Sequence, residues 1–163
     1  MGPELPLVCR NWGILLVREG DYAGAVRLFR ETLTLEPGDA DAHSHLAHAL
    51  GLQNKLDEAL VEFRRTLALS PGHISALEGL RETLRLLGKP EETIPFLERA
   101  RAASGENQPL VICMMAEVFA QVGKRQLAVL TANEALDAAN TTRNPALVSL
   151  VRTRVVACLN TQR

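Results

Sequence analysis

The stretch Leu56–Leu77, LDEALVEFRRTLALSPGHISAL, carries residue types that already stand 34 positions earlier: Ala59 answers Ala25, Phe63 answers Phe29, Leu67 answers Leu33, Leu69 answers Leu35 and Pro71 answers Pro37. Self-similarity at a fixed period of roughly 20 to 50 residues marks an array of small stacked units. The apolar spacing inside each period is helical, so the expected architecture is all-α.

Upstream, Pro3 and Pro6 keep the first residues out of a helix interior, and Pro6 suits a first helical position. Leu7, Val8, Ile14, Leu15, Leu16 and Val17 give a first helix to about Arg18, which Gly20 closes. Asp21 caps a second helix with Ala25, Val26, Phe29, Leu33 and Leu35 on one face, ending before Pro37. Asp39 begins the next pair, with Leu46, Ala47 and Leu50, then Leu56, Ala59, Leu60, Phe63 and Leu67, and Pro71-Gly72 stops it.

Downstream, a third pair runs from about His73 through Leu77, Leu80, Leu84 and Leu87 to a turn at Gly88, and Pro90 opens its second helix. Pro95 lies one turn inside that helix and is expected to bend it. Gly105 takes the stop position, and a fourth pair carries Ile112, Met115, Ala116 and Phe119, then Ala128, Ala135 and Leu136. Asn144 and Pro145 open a last helix. Its apolar residues Leu147, Val148, Leu150, Val151, Val155, Cys158 and Leu159 cover about 200° of the helix, wider than the ~100° stripe of a surface helix.

Composition fits a layered helical array. Apolar residues make up 47% of the 163 positions, enough for a core, and aromatics only 4%. The formal charge of −1 supplies no long-range pull on a polyanion, which argues against nucleic acid as a partner. Cys9, Cys113 and Cys158 are far apart and outside any CxxC spacing, so they read as reduced, buried thiols of a cytoplasmic protein. No stretch approaches the ~20 continuous apolar residues of a membrane helix, and the start lacks the pattern of a secretory signal. Asn140-Thr141-Thr142 is formally a glycosylation acceptor that matters only in a secreted protein.

Gly13, Gly20, Tyr22, Ala25, Phe29 and Pro37, with Leu46, Ala47, Ala59, Phe63 and Pro71, resemble the signature of the tetratricopeptide repeat. The likeness covers about residues 6–142 and is strongest in the first two units. The third has Arg81 where a small residue is usual, Thr93 for the small packing residue and Gly105 for Pro, and the fourth has Ala132 for the aromatic. The resemblance implies a single domain over 1–163, built as a right-handed superhelical array of about four helix-turn-helix units (6–39, 40–73, 74–108 and 109–142) with a capping helix at 144–160.

It also implies that the first helix of each pair lines a concave groove for a peptide or a partner helix. Carried over by position, the groove wall is Leu7, Arg10, Ile14, Val17 and Arg18, then Asp41, Ser44, His48 and Leu52, then Ser75, Glu78, Glu82 and Arg85, then Leu110, Cys113, Glu117 and Gln121. The first unit is apolar with two arginines, whereas Glu78, Glu82 and Glu117 make the later floor acidic, which favours a partner segment with basic or apolar character. The Lys, Arg and Asn set with which one branch of the family grips a terminal carboxylate is missing, since Ile14 and Gly79 replace two of its members.

Catalytic chemistry finds no support in the pattern, and neither a cofactor nor a metal site is expected. Of His43, His45 and His48 at most two converge on a helix, short of a zinc site's three or four ligands, so one packed and two solvated imidazoles are expected. Glu78 and Glu82 share a face without a nucleophile and read as a solvated surface. Glu91-Glu92 favours the dipole of a helix's first turn. Cys113 projects onto the groove as a packed thiol. Phosphate-binding glycine loops, GxSxG, HExxH and CxxC are absent. The expectation is a non-enzymatic scaffold that binds another protein. Two alternatives stay open: a regulatory or targeting array cut from a larger glycosyltransferase or sulfotransferase, and a scaffold that assembles with its own copy through the last helix.

Overall fold

The computed structural model describes residues 4–160, so the expectation for Pro3 lies outside the described residues. Within them are nine α-helices, two short 3-10 turns and no strand. The chain divides into two compact units, Met1–Ser70 and Pro71–Arg163.

The first unit holds α1 (Leu5–Glu19), α2 (Tyr22–Leu35), α3 (Ala40–Leu52) and α4 (Leu56–Leu69). Their ends are set by local chemistry. Gly20 adopts φ 85° and its N–H closes α1 on the carbonyls of Leu16 and Val17. The Asp21 carboxylate accepts the Gly24 N–H at 2.8 Å, and Asp39 accepts the Ala42 N–H at 3.0 Å.

α1 pairs with α2 and α3 with α4, and Ala25, Phe29, Ala47, Leu50, Ala59 and Phe63 fill the space between them with 2% exposure or less. Gly13 permits the close approach of α1 to α2. A Cβ built there would lie 2.6 Å from Cε1 of the Phe29 ring, which also stacks on His45 at 5.6 Å.

Two apolar positions differ from the sequence reading. Leu35 and Leu69 stand 39% and 50% exposed, while Thr32 and Thr66 take the buried positions. A threonine is tolerated there because each hydroxyl donates to the carbonyl one turn back, Leu28 at 3.0 Å and Glu62 at 3.1 Å. On α1, the buried residues are Pro6, Cys9 and Gly13, and Leu7, Val8, Trp12 and Leu15 are exposed.

The second unit holds α5 (Ile74–Leu86), a 3-10 turn (Pro90–Thr93), α6 (Ile94–Ala103), a second 3-10 turn (Gly105–Asn107), α7 (Gln108–Gln121), α8 (Arg125–Thr141) and α9 (Pro145–Asn160). Pro95 does not bend a continuous helix. The segment from Pro90 winds as 3-10, and α6 starts at Ile94, which puts Pro95 in a first turn where its missing N–H leaves no carbonyl waiting.

α9 is opened by Asn144, whose side chain accepts the Leu147 N–H at 3.2 Å. Leu147, Val151, Val155 and Cys158 are buried against α7 and α8. Leu150, placed in the same apolar set by the sequence, is 46% exposed, so the buried stripe is narrower than expected.

Two substitutions test this packing. Gly13→Ala gains about 1 kcal/mol of helix propensity, yet the added methyl meets a ring that is itself held, so the variant is expected to be less stable by about 1–3 kcal/mol in urea unfolding. Phe63→Ala empties a site only 2% exposed and is expected to cost about 3–5 kcal/mol.

Candidate functional site: the faces of the first helices

In the first unit, the positions assigned to a groove wall lie on α1 and α3. Leu7, Arg18, Asp41 and Leu52 are exposed, Arg10, Ile14, Val17 and His48 are half-buried, and Ser44 is buried. Arg10 is not free to receive a ligand. Its Nη1 donates to Asp39 at 2.6 Å and lies 3.9 Å from Asp41, fastening α1 to the start of α3. His48 rests edge-on against Phe63, with ring centroids 4.9 Å apart.

The three imidazoles have separate employments. His43 is the packed one, its Nδ1 2.6 Å from Glu62 Oε2 and its Nε2 3.1 Å from the Pro37 carbonyl. Glu62 accepts a further bond from Arg65 at 2.8 Å. This cluster clasps α3 to α4 and to the turn before α3. His45 and His48 lie against aromatic rings and are half-buried rather than solvated. Among the described residues no group of three or more His, Cys, Asp or Glu side chains is placed to hold a metal ion.

In the second unit, the corresponding face is largely occupied by the chain itself. Leu110 and Cys113 are buried, at 6% and 0% exposure. Glu78 and Glu117 are both engaged by Arg154 of α9: Nε and Nη2 bind the two oxygens of Glu117 at 2.7 and 2.8 Å, and Nη1 binds Glu78 at 2.7 Å. Burial disfavours the charge on Arg154, but the paired bonds from Glu117 and the bond from Glu78 outweigh it, and the guanidinium is held more firmly protonated than an ordinary arginine.

Arg81 approaches Glu117 at 3.4 Å, and Arg85 donates twice to Glu82, at 2.6 and 2.8 Å, holding that exposed carboxyl below the usual carboxylate range. Ser75 and Gln121 are exposed. Beside Arg81, Glu117, Gln121 and Arg154 lies an open hollow of about 520 Å³. The acidic floor read from the sequence is therefore compensated from within, glutamate by glutamate.

Burial pushes the Cys113 thiol up to about 12, with the Glu117 carboxylate adding to the effect. Near neutral pH it is an uncharged thiol with no nucleophilic character. All three cysteines are free and buried.

Arg154 is the residue that sequence reasoning missed. It stands three residues after Val151 and four before Cys158, so it is a lone cation on the edge of an apolar stripe, and that position was the one signal that could have found it.

Antiparallel helix pairs in series define a helical-repeat fold of the kind found in scaffolds that bind other proteins. Residues 16–84 match the tetratricopeptide repeat family model, so the resemblance seen in the sequence holds over that stretch.

No curated protein matches the chain in sequence. Among solved structures, the MamA RS-1 ArsTM double mutant is 18% identical, with 99% of this chain and 98% of that one covered at a TM-score of 0.66. MamA 41-end from Desulfovibrio magneticus RS-1 is 16% identical, with 100% and 98% covered at a TM-score of 0.66. A further MamA crystal structure is 14% identical, with 99% and 93% covered, at the same score. At these identities the likeness is one of fold. Among the described residues no helix is long and apolar enough to cross a membrane.

The Arg154 cluster yields a direct test. Arg154→Ala leaves Glu117 half-buried beside only the more distant Arg81. The expected loss is about 2–4 kcal/mol, below the ~3–5 of a fully buried pair because Glu78 is partly exposed. The same variant should label faster at Cys113 with a disulfide reagent at pH 8, since α9 opens more often.

Proposed function

We infer that the chain is a non-catalytic interaction scaffold whose first-helix faces receive an extended segment or a helix of another protein. The observation that supports it most is the contrast between the units. On α1 and α3 the side chains of Leu7, Ile14, Val17 and Leu52 remain wholly or partly exposed on one face, whereas on α7 Leu110, at the position of Leu7, is buried and Glu117, at that of Ile14, is held by Arg154.

Exposed apolar groups gathered on a scaffold and rimmed by charge suit a protein partner. The binding face is accordingly centred on α1 and α3. Of the two partner characters the sequence suggests, apolar and basic, the apolar one has the better support, because the glutamates that would attract a basic segment are already paired. The three free, buried cysteines suit a reducing, cytoplasmic-type compartment.

Ile14→Asp combined with Arg18→Glu alters this face without touching the core. Crosslinking followed by affinity capture should recover the partner with the natural chain and lose it at least tenfold with the double variant, at unchanged helical circular dichroism. Equal recovery by both would remove this face as the site.

A further inference from the structure

The C-terminal halves of α2 and α4 and the start of α3 enclose an open hollow of about 650 Å³, a size that suits a bound group. Its floor is apolar, made by Leu33, Pro37, Leu46, Ala68 and Leu69. Leu69 is the residue that Thr66 displaces from the core, and at 50% exposure it turns to this hollow instead.

One wall is fixed in place. His43 and Glu62 line it at 7% and 9% exposure. Both imidazole nitrogens and both carboxylate oxygens are engaged, with each other, with the Pro37 carbonyl and with Arg65. Buried polar groups that are fully partnered hold their positions, so the hollow is preformed.

Its remaining charge is positive. Arg30 from α2 and Arg65 from α4 line it, each 59% exposed. Each spends one N–H inside the chain, Arg30 on the exposed Glu58 at 3.1 Å and Arg65 on Glu62 at 2.8 Å, of the five that a guanidinium carries. Pairs so exposed contribute little, and a carboxylate can take up the remaining donors in forked geometry. Glu62 is the one acidic side chain lining the hollow, and neither of its oxygens is left over for a cation.

The hollow is distinct from the face already assigned to a partner. By helical angle, His43 and Leu46 project about 140–200° around α3 from Asp41 of that face.

We propose that the hollow is a second docking site, and that its occupant is a segment of another protein carrying a bulky apolar side chain beside an Asp or Glu. The apolar group enters between Leu33, Leu46 and Leu69, and the carboxylate meets Arg30 and Arg65. A basic segment would set its charge against both arginines and is disfavoured.

The test uses the full chain carrying Ile14→Asp and Arg18→Glu, which silences the α1–α3 face, and a phage-displayed library of random heptapeptides. Retained clones should carry Asp or Glu within two positions of a large apolar residue, several-fold more often than the starting library. The most enriched peptide, made synthetically, is then measured by fluorescence anisotropy. It should bind at least tenfold more weakly after Ala68→Trp, which fills the hollow from an exposed position, and at least tenfold more weakly after Arg30→Glu. Replacing its own Asp or Glu by the amide should cost a similar factor, and raised salt should weaken binding. Circular dichroism melting is the folding control, and Thr34→Trp and Arg30→Ala stand in for a variant that unfolds.

No enrichment overturns the proposal, as do enriched peptides without an acidic residue or binding that Ala68→Trp leaves unchanged. Self-association of the chain that Ala68→Trp abolishes in sedimentation overturns it as well, since the occupant would then be a second copy. None of these outcomes bears on the α1–α3 face, whose partner capture is read separately.

Discussion

The structure depends on how closely the two helices of a pair can approach. At Gly13 the backbone of α1 runs against the Phe29 ring with no room for a methyl, and the ring in turn is backed by His45 from the next helix. One small residue and one aromatic thus set the spacing within a pair and between that pair and the next. Where each layer touches only its neighbours, as at this contact, stability is close to a sum of such local terms. Cores packed to crystal-like density transmit that spacing without slack.

The third pair relaxes this constraint. Arg81 stands at the position of Gly13 and Ala47, and Leu97 at that of Phe63. With no ring to accommodate and a guanidinium to place, the side chain reaches Glu117, while its Nε is buried without a hydrogen-bond partner among the described residues. Glu117 is more firmly held from the other side by Arg154. Two cations, Arg81 and Arg154, and two carboxylates, Glu78 and Glu117, therefore sit together in the second unit. Removing Arg154 leaves the half-buried Glu117 with only the more distant Arg81, which makes the cluster a fastening for α9 more than a source of net stability.

Helix number, order and caps were legible in the sequence because they rest on local chemistry. Gly20 at positive φ, the Asp21 and Asp39 caps and the Asn144–Pro145 start each depend on residues within one turn. Burial was legible where the apolar spacing was regular, as at Ala59 and Phe63. It failed where a threonine could bond its own helix, so that Thr32 and Thr66 displaced Leu35 and Leu69. The groove positions could be placed on their helices by period, but their openness to a partner could not be read. Whether Glu78 or Glu117 is open depends on Arg154, 76 and 37 residues away. No pattern in a single sequence reports a contact over that distance.

This difference in range also explains why the scaffold is easier to recognise than its partner. A repeat must keep its spacing, since every layer has to fit the next, and it leaves the exposed positions of each first helix free to vary. In this chain the freedom has been used in two directions. The face of α1 and α3 keeps aliphatic side chains in partial contact with solvent, and that of α7 buries its own beneath α9. A surface that is covered from within has settled its hydration already, and little is gained by docking a segment on it. A surface with half-buried Ile14 and Val17 still has apolar area to remove from water, at roughly 25 cal/mol for each Å². On the faces assigned to the groove, apolar area still open to water therefore lies on α1 and α3, even though every pair shares the same fold.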